Sequence, residues 1–221
     1  MNREQSQPEI TRAAIKSLAD RAINNSQPTA WFEQLYSLAN DNENNIPWAK
    51  LKADPLLIDW LEKRQQKEIE NKSALVIGCG LGDDAETIAE FGYQVTAFDI
   101  SETAIAWCKK RFPDSKVNYL VADLLNLDPA WYNQFDFVFE SITIQALPID
   151  IRKNVIQAIV KLVADRGTLL VITGYRETEA KPEGPPWPLS ELELSQFKQL
   201  GLVEGDRDRG LIKQLRIEYT K

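Results

Sequence analysis

The sequence predicts an α/β fold in three layers, with helices on both faces of a mostly parallel seven-stranded sheet. Two observations support this prediction. Short apolar segments typical of buried strands alternate along the chain with segments of helical periodicity. A glycine-rich turn follows the first strand and leads into a helix, as in nucleotide-binding βαβ units. The length of 221 residues suits one sizeable domain of this kind.

A helical extension precedes the sheet. Residues 11–25 place their apolar side chains on one helical face, and a second amphipathic helix begins near Thr29 or Ala30. Both helices need a surface on which to bury their apolar stripes, and the mouth of the sheet is the nearest one. We therefore predict a helical cap over residues 1–53 and a ligand-binding part over residues 54–221, together forming one structural domain.

Two tryptophans of this cap are candidate ligand contacts. An indole face attracts cations, so Trp31 and Trp48 can contact a cationic ligand or can pack the cap onto the core. The sequence leaves both interpretations open for Trp31. Trp48 lies in a loop before the first core helix, and for it we prefer ligand contact.

The glycine turn organises the segment from residue 74 to residue 101. Residues 74–77 predict a buried strand, and residues 84–91 have the periodicity of a helix. Glycines let a ligand approach the backbone closely, and a helix N-terminus offers unpaired N–H groups, so the turn between them predicts a binding site. Its glycines are Gly78, Gly80 and Gly82.

The strand after this helix ends on an acid. Residues 94–98 form the strand, and Asp99 follows about 20 residues after the turn, where an acid accepts both ribose hydroxyls. A dinucleotide fingerprint would have a third glycine at the position of Asp83. Asp83 and Asp84 would repel a pyrophosphate but favour a ligand with sulfonium and ammonium groups. The predicted ligand is a zwitterionic nucleoside without phosphate.

The remaining elements complete the sheet. Strand residues are β-branched or apolar runs, and helices begin at capping residues such as Ser101 and Ser190. We predict helices over residues 55–68, 101–112, 148–164 and 190–200, and strands over residues 117–121, 135–139, 168–173, 202–204 and 211–219, with turns over residues 165–167 and 205–210. The fold is thus Rossmann-like, and its last two strands are antiparallel to each other.

Composition limits the function. The net charge of −7 disfavours nucleic acid as a partner, and no apolar run reaches the ~20 residues of a membrane span. The N-terminus lacks the apolar core of a signal peptide, and the two cysteines make no disulfide framework, so we expect a cytoplasmic protein. The absence of histidine excludes imidazole base catalysis, and nothing indicates a metal. A small-molecule substrate and a monomer or homodimer are expected.

The string VIGCGLG, with a second strand ending in an acid, resembles the first motifs of class I S-adenosylmethionine-dependent methyltransferases. Three further places resemble the thiopurine, thiol and halide methyltransferase branch, which includes the tellurite-resistance type. They are Trp31 with residues 46–48, residues 135–148 with Arg152, and the string GPPWP at residues 184–188. One departure is Ser141, where that branch commonly has an arginine. Arg152 or Arg176 would then have to anchor an anionic acceptor.

The resemblance implies a set of S-adenosylmethionine contacts. The glycines would hold the methionine part, Asp99 the ribose and Asp123 the adenine amino group, although Asp123 can equally be a helix cap. Trp48 would cover the sulfonium. The full predicted cofactor set is Trp48, Gly78, Cys79, Gly80, Gly82, Asp99, Ile100, Ser101, Asp123, Leu124, Glu140 and Ser141.

The acceptor would meet the cofactor near the end of the fourth strand and the proline-rich loop after the fifth. Predicted substrate contacts are Trp31, Thr143, Gln145, Arg152, Tyr175, Arg176 and Trp187. The reaction implied is in-line methyl transfer to a thiol, sulfide, halide or thiopurine-like nucleophile, which needs no strong base. An oxygen or nitrogen acceptor is the alternative, and Glu140 or Tyr175 would then serve as base. A nicotinamide-dependent oxidoreductase and a non-catalytic nucleoside-binding domain are further alternatives.

Overall fold

A computed structural model describes residues 10–65, 69–210 and 214–221. Its helices are α1 (Arg12–Asn24), α2 (Ala30–Ala39), α3 (Pro55–Glu62), α4 (Asp83–Glu90), α5 (Glu102–Arg111), α6 (Thr143–Ala146), α7 (Arg152–Leu162) and α8 (Glu191–Gln199). Its strands are β1 (Ser73–Ile77), β2 (Gln94–Asp99), β3 (Asn118–Val121), β4 (Phe135–Ser141), β5 (Val163–Gly174), β6 (Val203–Arg209) and β7 (Gln214–Thr220).

The strands form one seven-stranded sheet in the order β3-β2-β1-β4-β5-β7-β6. The pairs among β1 to β5 are parallel, and β7 is antiparallel to both of its neighbours. The chain order reverses between β1 and β4, and open α/β sheets bind ligands outside the carboxyl ends of strands at such a switch point. The predicted fold class is confirmed.

Both faces of the sheet are buried, as expected for parallel strands. In β1, Leu75 and Ile77 face one apolar cluster, which includes α7 and α8 side chains, while Ala74 and Val76 face the other. This alternation places successive side chains of a strand on opposite faces. The two helical layers leave the carboxyl ends of the central strands free for a site.

The first two helices cover that end of the sheet. Trp31, Leu35 and Tyr36 of α2 share an apolar cluster with Leu81, in the loop after β1, and Trp107 of α5. The amphipathic stripes predicted for this region are therefore buried against the body of the protein. Of the helices in the described part of the chain, none combines the length and apolar character that a bilayer crossing requires.

Two predicted turns lie within strands of the structure. The turn predicted over residues 205–210 lies mostly within β6, where Gly205 falls at a register shift that a flexible residue accommodates. Residues 211–213 of the last predicted strand lie outside the described residues. The turn predicted over residues 165–167 is part of β5. Gly167 is required there because a Cβ atom would lie 2.8 Å from the Ala164 carbonyl oxygen.

Other boundaries shift modestly. The fourth strand continues to Ser141, two residues beyond its prediction, so its polar end reaches the site. The helix predicted from residue 148 begins as a short 3₁₀ turn, Ile149–Ile151, before α7. The helix predicted over residues 55–68 ends at Glu62, and residues 66–68 lie outside the described residues.

Candidate active site

A cavity of about 740 Å³ lies at the carboxyl ends of β1, β2 and β4. Pockets of this size hold a small molecule or a cofactor with part of a substrate. Residues 78–80 and Asp99 line the cavity where β1 and β2 end, and we call them the floor. A second group of lining residues, which we call the roof, comprises Trp31 and Phe32 of α2 and Pro185 and Pro186 of the loop after β5.

The floor depends on two glycines with positive φ. Gly78 has a φ of +60°, and a Cβ atom there would lie 2.5 Å from Oγ1 of Thr143. Gly80 has a φ of +55°, and its Cβ would lie 3.2 Å from the Tyr36 hydroxyl. Glycine is therefore needed both for the turn and for the close approach of α2 and α6 to it. Gly82, the third predicted glycine, caps α4 behind the cavity wall.

Asp99 links the two loops of the floor. One carboxylate oxygen accepts a hydrogen bond from the Gly80 backbone N–H at 3.0 Å, and the other accepts one from the Ser101 N–H at 3.0 Å. Burial raises the pKa of Asp99 to about 6 despite these bonds. Each carboxylate oxygen keeps a second lone pair, so a ligand hydroxyl can still donate to Asp99.

The two acids after the glycine turn behave differently. Asp83 forms a bidentate pair with Arg111, with both N–O distances 2.8 Å, and its charge is thereby compensated. Asp84 accepts the Asp54 backbone N–H at 2.7 Å, and burial raises the pKa of Asp84 to about 6. Asp54 also lines the cavity. Lys50 pairs with the Asp54 carboxylate at 3.2 Å, which leaves two acids facing one lysine. This part of the cavity wall therefore favours a further cationic group such as an ammonium.

Four aromatic rings meet where the floor joins the roof. The Trp48 indole N–H donates to the Tyr36 hydroxyl at 2.9 Å, and the Trp48 ring makes edge contacts with Trp31, Phe32 and Tyr36. Trp31 is buried and Trp48 is half-buried, and both line the cavity. The geometry thus combines the two interpretations left open by the sequence, since each indole packs in the cap and borders the ligand space.

The end of β4 supplies a buried acid and two cavity residues. Ser141 and Thr143 line the cavity, whereas the Glu140 side chain is completely buried beneath it. One Glu140 oxygen accepts the Ile144 N–H at 2.8 Å, and the other has no hydrogen-bond partner among the described residues. Burial raises the pKa of Glu140 to about 7.

The predicted nucleoside contacts lie together. Ile100, Asp123 and Leu124 line the cavity beside Asp99. Asp123 also accepts the Leu125 N–H at 2.9 Å, so it caps a short 3₁₀ turn as the alternative interpretation held. Cys79 lines the cavity as well, while Ser101 lies behind it as the cap of α5.

Five predicted substrate residues lie outside the cavity lining. Three of them hold the loop after β5 in place. Arg152 donates to the Trp187 backbone oxygen at 2.7 Å and Arg176 to that of Pro188, and both arginines bind the two oxygens of Glu193 at 2.6 Å each. The Gln145 side-chain oxygen accepts from the Gly174 N–H, and its backbone oxygen accepts the Trp187 N–H at 2.7 Å. Glu179 lies 3.9 Å from Arg176, so the two arginines face two carboxylates outside the cavity lining. These residues are Gln145, Arg152, Tyr175, Arg176 and Trp187.

The sequence did not single out several residues that line the cavity. Phe32 and Tyr36 share the helical face of Trp31, so their periodicity could have marked them. Asp54 is recognisable as a helix cap before Pro55 but carries no sign of a ligand role. Further additions include Arg12, Ile15, Thr29, Lys50, Lys52, Ala146, Leu147 and Glu183.

These residues fit S-adenosylmethionine. Gly78 and Gly80 lack Cβ atoms, so a ligand can approach their backbone closely. Asp99 suits a ribose, and Asp84 with Asp54 suits an ammonium group. The half-buried indole of Trp48 suits a sulfonium cation. The described residues contain no group of three acids or cysteines arranged to hold a metal ion.

Fold and site together define a class I S-adenosylmethionine-dependent methyltransferase. The family model for thiopurine S-methyltransferase (TPMT) matches residues 38–204, and the chain belongs to this family. It is therefore an enzyme that uses S-adenosylmethionine to methylate a small-molecule soft nucleophile. The resemblance found in the sequence is confirmed.

Individual relatives agree with the family. The chain is 28% identical over 170 residues to a probable thiol methyltransferase 2 of Arabidopsis thaliana, and the alignment covers 72% of each chain. It is 24% identical over 174 residues to a thiopurine S-methyltransferase of Acinetobacter baylyi, covering 70% of this chain and 78% of the relative. The N-methyltransferase NodS of Bradyrhizobium japonicum, solved with S-adenosyl-L-homocysteine, shares the fold with a TM-score of 0.65 and 19% identity, covering 85% of this chain and 98% of NodS.

Proposed function

We propose that the enzyme methylates the sulfur atom of a small thiol with an apolar body, by in-line displacement. The observation that carries this proposal is the roof. Beyond the floor, the cavity is bounded by Trp31, Phe32, Pro185 and Pro186, with Leu147 beside them. A halide or hydrosulfide ion has no apolar surface to bury against such a wall, whereas an aryl or alkyl thiol does.

The floor residues would bind the methyl donor in this proposal. Residues 78–80 would hold its methionine part, Asp99 its ribose, and Ile100 with Leu124 its adenine. S-adenosylmethionine, when bound, supplies a methyl group on an activated sulfonium leaving group. The task left to the protein is to align the acceptor and exclude water, and well-oriented pairs gain effective molarities of about 10⁵ M or more. Trp31, Phe32 and the proline loop would carry out that task.

The acceptor needs little activation. A thiol of pKa about 8.5 is partly ionised at neutral pH, so its thiolate is available without a strong base. The chain has no histidine, and the two bases considered from the sequence are unsuited to this role. The Glu140 carboxyl is buried below the cavity, and Tyr175 lies outside its lining. We infer that the thiolate forms in solution, before the acceptor enters the cavity.

We also propose a cytoplasmic location and a monomer or homodimer that acts without nucleic acid or membrane. Cys79 and Cys108 are free thiols, which supports a reducing compartment. The net charge of −7 supports the absence of a nucleic-acid partner.

The test compares acceptors that share one body and differ in one atom. Purified enzyme and S-adenosylmethionine are mixed with thiophenol, phenol or aniline, and with iodide and hydrosulfide, and release of S-adenosylhomocysteine is measured. We expect thiophenol to give the largest kcat/KM and the two small ions the lowest among the sulfur and halide acceptors. Faster release with phenol or aniline would overturn the sulfur assignment. Equal rates with hydrosulfide and thiophenol would overturn the role of the roof.

A further inference from the structure

Glu33 connects α2 of the cap to the loop after β2. One of its oxygens accepts the Ser101 hydroxyl at 2.6 Å and the Thr103 backbone N–H at 3.1 Å. The other accepts the Thr103 hydroxyl at 2.6 Å and the Ser37 hydroxyl at 2.7 Å. Four donors on one carboxylate form a complete shell, so this side chain has a single preferred position.

The contact continues into the floor. Ser101, which donates to Glu33 through its hydroxyl, donates to Asp99 through its backbone N–H at 3.0 Å. Asp99 in turn accepts the Gly80 N–H at 3.0 Å. A continuous path of hydrogen bonds therefore runs from α2 through Asp99 to the glycine turn.

The same helix touches the floor a second time. Tyr36 lies nearly one turn after Glu33 on α2, and its hydroxyl lies 3.2 Å from the position of a Gly80 Cβ atom. That hydroxyl also accepts the Trp48 indole N–H at 2.9 Å. Helix α2 thus contacts both loops of the floor and carries Trp31 and Phe32 of the roof.

Glu33 is ionised under ordinary conditions. Partial burial alone would raise its pKa, but the hydrogen bonds from Ser101, Thr103 and Ser37 outweigh burial and lower the pKa of Glu33 to about 2. The connection is therefore constant across the physiological pH range.

We propose that Glu33 is a positioning residue for the methyl-donor site. Through Ser101 it fixes Asp99 relative to α2, so that donor binding to the floor and packing of the cap stabilise each other. Such coupling is reciprocal: if packing of the cap raises the affinity for the donor, binding of the donor must stabilise the packing of the cap by the same free energy. The inference rests on the proposed function in taking the floor as the donor site.

The test uses Glu33→Gln and the matched variant Glu218→Gln. Glu218 also carries two side-chain hydrogen bonds, from Trp60 and Arg64 at 2.7 Å, but joins α3 to β7 away from the cavity. S-adenosylhomocysteine affinity is measured by calorimetry, and tryptic cleavage within residues 12–52 is followed with and without this ligand. In Glu33→Gln we expect the Kd for S-adenosylhomocysteine to rise about five-fold or more. We also expect the bound ligand to protect the cap from trypsin much less than it does in the wild type. Glu218→Gln should lower the melting temperature and change neither.

Kinetics give a further distinction. We expect Glu33→Gln to raise KM for S-adenosylmethionine while changing kcat and the acceptor KM less, which a merely structural loss would not do. Unchanged affinity and normal cap protection in Glu33→Gln, with normal wild-type binding, would overturn the inference alone. A wild-type protein that does not bind S-adenosylhomocysteine would overturn the proposed function and this inference together. If Glu33→Gln does not fold, Thr103→Val, which removes one donor to Glu33, should raise Kd about two- to three-fold.

Discussion

The floor and the roof of the cavity are held by different kinds of interaction. In the floor, backbone groups bind one another and one acid: the Cys79 N–H donates to the Phe98 oxygen at 2.9 Å, and the Gly80 N–H to Asp99. In the roof, aromatic side chains pack together, and the loop after β5 is held by Arg152 and Arg176, which lie outside the cavity lining. A backbone-built wall tolerates few substitutions, whereas a wall of side chains can be changed one residue at a time. We therefore expect donor binding and acceptor binding to be separable by mutation.

The largest effect is expected for Gly78→Ala in the floor. The variant combines a positive φ with a Cβ atom 2.5 Å from Oγ1 of Thr143, whose β-branched side chain has little freedom to move. Strain and overlap together should cost about 3 kcal/mol of folding free energy and weaken S-adenosylhomocysteine binding at least ten-fold. Chemical denaturation and calorimetry measure the two quantities.

A matched glycine separates the two causes. Gly201 has a φ of +96°, and a Cβ atom there would have no neighbour within 4 Å. Gly201→Ala should therefore cost about 1–2 kcal/mol from backbone strain alone and leave ligand affinity unchanged. Equal losses in the two variants would contradict the role of the Thr143 contact in shaping the floor.

Asp99→Asn should have the next largest effect on ligand binding. Burial raises the pKa of Asp99 to about 6, so its charge at neutral pH does not favour the folded state. Loss of a charged hydrogen-bond acceptor should weaken S-adenosylhomocysteine binding by about 1.5–3 kcal/mol. The melting temperature should fall as well, because an asparagine amide can accept from only one of the Gly80 and Ser101 N–H groups. Calorimetry and thermal unfolding are the measurements.

Asp136→Asn is the control for that variant. Asp136 accepts two hydrogen bonds from Ser73, at 2.9 and 2.8 Å, at the opposite end of the sheet. Its replacement should leave ligand affinity unaltered. If Asp99→Asn and the control bind the ligand alike, Asp99 does not contact the ribose.

Glu140→Gln tests whether the buried acid beneath the cavity affects stability or catalysis. Burial raises the pKa of Glu140 to about 7, so the folded protein keeps this carboxyl protonated up to that pH, whereas the unfolded chain releases the proton near the ordinary glutamate pKa of 4.5. Stability is therefore lost as the pH rises through that window, and the variant, which does not titrate, avoids this loss. Between pH 5 and 7.5 we expect the variant to gain about 2 kcal/mol relative to wild type, measured by denaturation at each pH.

The same variant tests a catalytic role. Glutamine can still accept the Ile144 N–H, so α6 keeps its hydrogen bond. We expect turnover of a thiol at neutral pH to stay within about two-fold of wild type. A loss of turnover of a hundred-fold with intact ligand affinity would instead assign Glu140 as a base.

The floor was more predictable from the sequence than the roof. The glycine turn, Asp99 and Asp123 follow from local patterns, because a strand, a turn and a helix N-terminus place such residues at one sheet edge. The roles of Arg152 and Arg176 depend on Glu193, a partner that no local pattern reveals. Both were therefore predicted as substrate contacts although their charges are compensated outside the cavity. Tyr36 meets Gly80 only because α2 packs across the sheet edge.

The smallest effect, and the direct test of the roof, is expected for Phe32→Leu. Phe32 lines the cavity and stacks on Trp31 with ring centroids 4.0 Å apart, but no hydrogen bond of its side chain connects it to the floor. Leucine keeps an apolar wall with less aromatic surface, so binding of an aryl thiol should weaken by about 1 kcal/mol. In steady-state assays KM for thiophenol should rise about five-fold, while the affinity for S-adenosylhomocysteine stays within two-fold of wild type. If the two affinities fall together, floor and roof are one binding unit, and the distinction between backbone-held and side-chain-held walls has no functional consequence.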